Sequence, residues 1–306
     1  MLTSAYPNYV PDLVLHGLRK LFGERVVDFP RKDCVYEGIC GQPNLDPVPG
    51  FMAADGAVDR EDIGAKLAKG HFDLVICDIR AFNDRLALLQ ASICPLALLD
   101  GEDFAVPIRP GPYAILRRET DGNDFSIPVQ MAVPAEILAW IDRHAGTEKT
   151  HSVGFLGSRG KLTPDRNAML DELARIFPDG LIGAWAVGET APGRDGYYRK
   201  LQSCKVVLTL PGAGNDTFRY WENSACAAVH VCKRMTLFIP DEFREDREII
   251  KFDGIYELAA KVERILDGRI DANAMAERQR QWLLAHHTTE RRAATMIDRL
   301  RRAFGS

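Results

Sequence analysis

The feature that most constrains this chain is a recurring order of short apolar runs and amphipathic stretches. The runs FDLVICDI (72–79), CPLALLDGED (94–103) and KVVLTLPG (205–212) are apolar almost throughout and turn polar only at their ends. A strand with one wet face alternates apolar and polar residues, whereas a strand buried on both faces does not. Between the runs lie stretches with apolar residues at helical spacing. Strand, helix, strand, helix in sequence is the pattern of a parallel sheet covered by helices on both sides. The expected fold class is α/β, built from doubly wound Rossmann-like domains.

The alternation occurs twice. In the first half, VPDLVLHGLRKLFG (10–23) predicts a helix with Asp12 as candidate N-cap, and ERVVDFP predicts a short strand. EDIGAKLAKG predicts a helix closed by Gly70, and AFNDRLALLQASI another between the two buried runs. Residues 104–145 are less regular and end in a predicted helix, PAEILAWIDRHAG (134–146). The second half restarts with SVGFLGSRG (152–160), a strand entering a glycine turn. It continues with the helix TPDRNAMLDELARIF (Thr163 as N-cap, Pro164 first), the strand LIGAWAVG, the helix GRDGYYRKLQSC and the strand AVHVCKR. The polar turn GTEKTHS separates the halves. The expected domains are 1–147, 148–285 and a C-terminal helix, 286–306, packing back towards the first domain.

Composition narrows the class. A net charge of -4 and a pI of about 6.0 argue against a protein that coats nucleic acid. No apolar run approaches the ~20 residues of a membrane span. The stretch MLTSAYPNYVPD lacks the basic and apolar regions of a secretory signal, so a cytoplasmic location is expected. The seven cysteines are scattered without C-x-x-C spacing, as expected of reduced structural thiols.

Open parallel sheets bind ligands beyond the carboxyl ends of their strands. In the second half these ends carry Gly157-Ser158-Arg159-Gly160, Gly188-Glu189-Thr190 and the stretch PGAGNDTFRYWENSAC (211–226). Amides of Gly157 and Ser158 suit phosphate oxygens, with Arg159 or Arg166 adding charge; a plain tight turn is the alternative. In the longer stretch, Gly212 and Gly214 free the loop, and Asn215, Asp216 or Thr217 caps the helix that follows. Arg219 and Glu222, three apart, share one helical face; the plain alternative is an intrahelical ion pair. In the first half, Asp100, Glu102 and Asp103 follow a buried strand, while Asp12 and His16 lie in the first predicted helix. These are the candidate bases or acceptor ligands. No metal-ligand spacing stands out.

The run SCKVVLTLPGAGNDTFRYWENSACAAVHVCKRMTLFIPDEF resembles the second domain of GT-B glycosyltransferases, and is most similar to the exostosin-like and spore-maturation-type groups. The matching positions are Pro211, Gly212, Gly214, Arg219, Glu222 and Pro240, with VGFLGSRG and Arg166 upstream. Ala225-Cys226-Ala227-Ala228 stands where many relatives carry Ala-x-Gly. EIIKFDGIYELAAKVERIL, YPNYVPDLVLHGLRKLFG, LLDGED and YAILRRE also have counterparts, so the resemblance touches most of the chain.

The resemblance implies two domains facing a cleft and metal-independent transfer of a sugar to a glycan or lipid-linked acceptor. The nucleotide-sugar is a co-substrate, and no cofactor is implied. Glu222 would bond the ribose or donor sugar; Arg219 and the Gly157/Ser158 turn would meet the diphosphate. A nucleotide-sugar epimerase and a silent nucleotide-binding scaffold are the alternatives that share the fold. The tail, 271–306, holds seven Arg against four acids, leaving room for peripheral membrane contact.

Overall fold

The computed structural model describes residues 1–38, 48–53, 58–157, 164–183 and 193–305. The chain divides into two compact units: 1–134 with 237–240 and 288–306, and 135–236 with 241–287.

The first unit is built on a parallel sheet of β1 (Val75–Asp78), β2 (Leu96–Asp100), β3 (Ala114–Arg117) and β4 (Ile127–Pro128), hydrogen-bonded in that order. All four residues of β1 are buried, as its unbroken apolar run requires. Leu2 extends the sheet through parallel bridges to Cys77 and Phe29. The expected strand ERVVDFP is reduced to that bridge at Phe29. β3 and β4 lie inside the stretch that read as irregular, and Pro128, which has no N–H to give, sits on the edge strand.

Helix α1 (Tyr9–Phe22) is enclosed on every side from Val10 to Leu18, polar Asp12 and His16 included. It begins earlier than Asp12: Asn8 is the N-cap, and its N–H donates to the Asp12 carboxylate at 3.0 Å. Pro11 tolerates this first-turn position because its missing N–H would have no helical partner there. Within the same unit α1 packs on the C-terminal helix, Thr289–Phe304, where a Cβ on Gly17 would lie 2.7 Å from the Thr289 carbonyl carbon. Two shorter helices, α2 (Ile63–Ala68) and α3 (Leu86–Ala91), fall where periodicity expects them.

The second unit begins at α4 (Ala135–Asp142). The partition therefore falls at 134/135 rather than at the expected 147/148. The reason is packing: α4 lies on α6 (Arg194–Gln202), and the Gln202 amide donates to Ile141 O at 3.3 Å. The rest is β5 (His151–Leu156), α5 (Pro164–Ile176), β6 (Leu181–Gly183), β7 (Cys204–Thr209), α7 (Phe218–Asn223), β8 (Val229–Lys233), β9 (Ile250–Phe252), α8 (Ile255–Leu266) and α9 (Ala272–His286). The parallel strand order is β6-β5-β7-β8-β9. The first strand, β5, is interior, with the second, β6, on one side of it and the third, β7, on the other. The switch point of this doubly wound sheet therefore falls between β5 and β7. One face is filled by Val153, Phe155, Leu170, Leu173, Val206 and Leu208 with their neighbours. Residues 288–306, most of the tail segment expected at 286–306, count with the first unit.

Candidate functional site

In an open α/β sheet, a crevice forms where adjacent strands send their connections to opposite faces. In the second unit that place is the carboxyl end of β5, at Leu156 and Gly157, beside that of β7, at Thr209 to Pro211. Arg219, from the first turn of α7, extends across it. Its Nε donates to Leu156 O at 2.9 Å, and its guanidinium lies 4.8 Å from the Phe155 ring centroid. Gly157 makes room for this arm: a Cβ there would sit 2.8 Å from Arg219 Cζ. Arg219 makes no ion pair among the described residues.

Arg166, on α5, approaches from the other side. Its Nη1 donates to Pro211 O at 3.2 Å, and its guanidinium is 6.0 Å from the same Phe155 ring. Burial first, and then the Arg219 charge, pull the Arg166 guanidinium below its ordinary pKa. Two like charges thus share a partly desolvated corner, and an anion placed there relieves their repulsion.

The loop between β7 and α7 closes the corner. Gly212 N donates to Gly214 O at 2.9 Å, forming a tight turn beside Thr217 and Arg166. Thr217 is the backbone N-cap of α7, but its side chain makes no capping bond. The Thr217 hydroxyl is buried without a hydrogen-bond partner in the described structure. Asn215 is half-buried in the same loop. Asp216, the third capping candidate, instead accepts the Trp221 indole N–H at 2.7 Å.

The structure thus brings Gly157, Arg166, Gly212, Gly214, Asn215, Thr217 and Arg219 to one strand edge. Ser158 and Arg159 lie outside the described residues, as do Lys161 and Gly188-Glu189-Thr190. Glu222 turns elsewhere. It is 6% exposed and accepts hydrogen bonds from Tyr197 and from Tyr198, the latter at 3.0 Å. The intrahelical pair with Arg219 does not form among the described residues. Both tyrosines, on α6, were missed by sequence reasoning; the only signal was the doublet YY in a stretch read as plain helix.

A buried network sets the register of α7. The Asn223 amide donates to Leu208 O at 2.9 Å and Thr209 Oγ1 at 3.0 Å. His230 bridges Ser224 Oγ and Thr209 Oγ1, each at 2.8 Å. Burial lowers the His230 pKa to about 3, so the ring is neutral. The described cysteines are all buried and unbridged.

In the first unit the candidate bases are deeply committed. Asp12 is fully buried, its Oδ1 3.0 Å from the Nζ of the equally buried Lys32. Burial, only partly offset by Lys32, raises its pKa to about 6. His16 is fully buried, with Nδ1 3.0 Å from Thr289 Oγ1. Asp100 is 1% exposed; it accepts Val106 N at 2.9 Å and pairs with Arg117 at 3.2 Å. Glu102 reaches the surface, its side chain 25% exposed, and is gripped by both ends of the Arg80 guanidinium. Asp103 pairs with Arg118 at 2.8 Å. The carboxyl edge of this sheet is a knot of ion pairs, with Glu102 and Asp103 at its surface. No group of three or more potential metal ligands occurs among the described residues.

Residues 166–298 match the family model described as glycosyl transferase-like, a segment that includes Arg166, the loop and α7. A glycosyltransferase from Rickettsia africae ESF-5 superposes with a TM-score of 0.63, covering 99% of this chain and 96% of its own, at 7% identity. HepE of Anabaena, in complex with UDP and glucose, gives a TM-score of 0.59 over 98% of each chain at 11% identity. The fold is that of a GT-B glycosyltransferase. At such identities the structural likeness speaks for the fold, and the matched segment adds the glycosyl transferase-like domain. HepE in complex with UDP-glucose gives a TM-score of 0.56 at 12% identity. No curated protein sequence matches the chain. No helix among the described residues is long and apolar enough to cross a membrane.

Proposed function

We propose that this GT-B chain transfers a sugar from a nucleotide-sugar donor to a glycan or lipid-linked acceptor, without a metal. The observation that carries the proposal is the pair of guanidiniums, Arg166 and Arg219, at the β5/β7 switch point of the segment matching the glycosyl transferase-like model. In this reading they receive the diphosphate and stabilise the charge that grows on it as the glycosidic bond breaks. The hydroxyl of Thr217 adds a donor, as does the Gly157 amide, which now donates to Gly183 O at 3.5 Å, and Ser158 and Arg159 follow Gly157 directly in the sequence. Gly212, Gly214 and Asn215 shape the loop. Glu222 takes the ribose or the sugar. The resemblance of this stretch to exostosin-like and spore-maturation-type enzymes supports that assignment.

The acceptor and its base are assigned to the first unit. Of the five candidates only Glu102 and Asp103 have carboxylates that reach solvent; Glu102, in the turn that Asp100 orders, is taken as the first choice for the base. Asp100 orders the same turn through Val106 and Arg117, while Asp12 and His16 hold α1. A cytoplasmic location and peripheral contact with a membrane carrying lipid-linked acceptor complete the reading.

UDP-sugars are the first donors to try, because HepE is a structural neighbour that binds UDP-glucose. The test is a thermal-shift and calorimetric screen of UDP-, GDP-, ADP- and CMP-linked sugars, followed by product analysis in EDTA. One preferred donor and a sugar appearing on an acceptor support the transferase. An isomerised donor supports the epimerase instead. No binding of any donor leaves only the scaffold.

A further inference from the structure

Glu222 enters the donor reading as the ligand of a ribose, yet its carboxylate is already occupied. Tyr197 donates to Oε1 and Tyr198 to Oε2. The two phenols are neighbours on α6, with rings edge-to-face and centroids 5.1 Å apart. Burial, and then the Glu222 charge, hold both hydroxyls far above the ordinary tyrosine pKa, so both are donors. Their settings differ. Tyr198 is 2% exposed and belongs to the core, whereas the Tyr197 residue as a whole is only half-buried.

We propose that Tyr197 is a self-capping residue: without nucleotide its hydroxyl holds the place on Glu222 that a ribose hydroxyl takes when a ribonucleotide binds. This rests on the donor reading above. Phenol and ribose offer the carboxylate the same group, a neutral O–H donor, so the exchange leaves the buried charge hydrogen-bonded throughout. Tyr197 gains water as its hydroxyl turns outwards. Tyr198 has no such exit and fixes the plane of the carboxylate in both states. A nucleotide lacking ribose hydroxyls has nothing to offer Glu222 and leaves Tyr197 in place. The contact is therefore a device for selecting ribonucleotides.

The test is calorimetric titration with the tightest binder among UDP, GDP and ADP, and with its 2′,3′-dideoxy counterpart. In Tyr197→Phe the competitor is gone and the carboxylate lacks one donor. The ribonucleotide is expected to bind about tenfold more tightly, with the dideoxy compound unchanged within about twofold. Tyr198→Phe is expected to lower thermal stability without changing the ratio of the two affinities. In the otherwise unaltered chain, 3-fluorotyrosine at position 197 is expected to shift its fluorine resonance with the ribonucleotide only. An equal gain for both ligands in Tyr197→Phe, no gain for either, or a fluorine shift that ignores the ribose hydroxyls overturns the inference while the donor site stands. Absence of nucleotide binding in every variant and in the unaltered chain overturns the donor reading, and this inference with it.

Discussion

Gly157→Ala is the smallest change that separates a built anion corner from an ordinary turn. The added Cβ would lie 2.8 Å from Arg219 Cζ, closer than packing allows, so the guanidinium must leave. It then gives up its bond to Leu156 O and its seat on Phe155. A charged hydrogen bond and a half-exposed cation–π contact are together worth about 2–4 kcal/mol. The freed arm is long, flexible and half-buried, so rehydration returns part of this and a net loss of about 1–2 kcal/mol is expected. For a unit of this size that corresponds to a fall in Tm of roughly 2–8 °C, measurable by calorimetry. Nucleoside diphosphate loses an aimed cation, and its Kd is expected to rise about 30-fold. Gly146→Ala is the control, since nothing lies within 4 Å of a Cβ there, and both readouts are expected to stay unchanged. Gly157→Ala combined with Arg219→Met is expected to bind no worse than Arg219→Met alone, because both changes remove one arm. If Gly157→Ala binds diphosphate like the unaltered chain while Arg219→Met does not, the glycine has no part in placing the arginine and the reasoning fails.

Three further outcomes follow from the buried charges. Lys32→Met is expected to destabilise the first unit by about 3–5 kcal/mol, read from urea melts, because it leaves the Asp12 carboxylate buried without its cation. The units are expected to respond oppositely to acid. His230, with its pKa lowered from 6.5 to about 3, adds stability that is complete above pH 6.5 and declines below it, a loss of about 2 kcal/mol by pH 5. Asp12, raised from 3.8 to about 6, contributes stability that is complete below 3.8 and lost as pH rises through 6. Acidifying from pH 7 to 5 therefore firms the first unit while loosening the second; regional hydrogen exchange separates the two. The described tryptophans, Trp140, Trp221 and Trp282, lie in the second unit, so their indole fluorescence follows that unit. Asp100→Asn is expected to lower stability by about 1–3 kcal/mol through its ties to Arg117 and Val106, whereas Glu102→Gln is expected to leave stability nearly unchanged and remove turnover. Full turnover in Glu102→Gln removes it as the base.

The strands that are apolar from end to end were legible in the sequence because burial on both faces leaves no room for polar residues. β1, β2 and β8 fall within the runs that predict them, and β5 and β7 begin one residue before theirs. β3 was not legible because its last residue, Arg117, is spent on ion pairs with Asp100 and Asp124, which gives the segment the look of a charged loop. β4 is two residues long and ends in proline. The corner at the switch point could be anticipated, since position after a strand end is a sequence property. The partners of Glu222 could not: the tyrosines lie 24 and 25 positions earlier, on another helix, and only folding joins them. The role of Asp12 was hidden for the same reason, because its cation comes from a loop and not from α1.

The central claim is that Arg219 and Arg166 form a diphosphate site at the end of β5. Its most direct measurement is calorimetric titration of the unaltered chain and of Arg219→Met with UDP and with uridine. UDP is expected to bind far more tightly than uridine, and Arg219→Met to remove about 2–3 kcal/mol of that difference while binding uridine as before. Equal affinity for UDP and uridine in the unaltered chain, or a UDP affinity indifferent to the loss of Arg219, would contradict it.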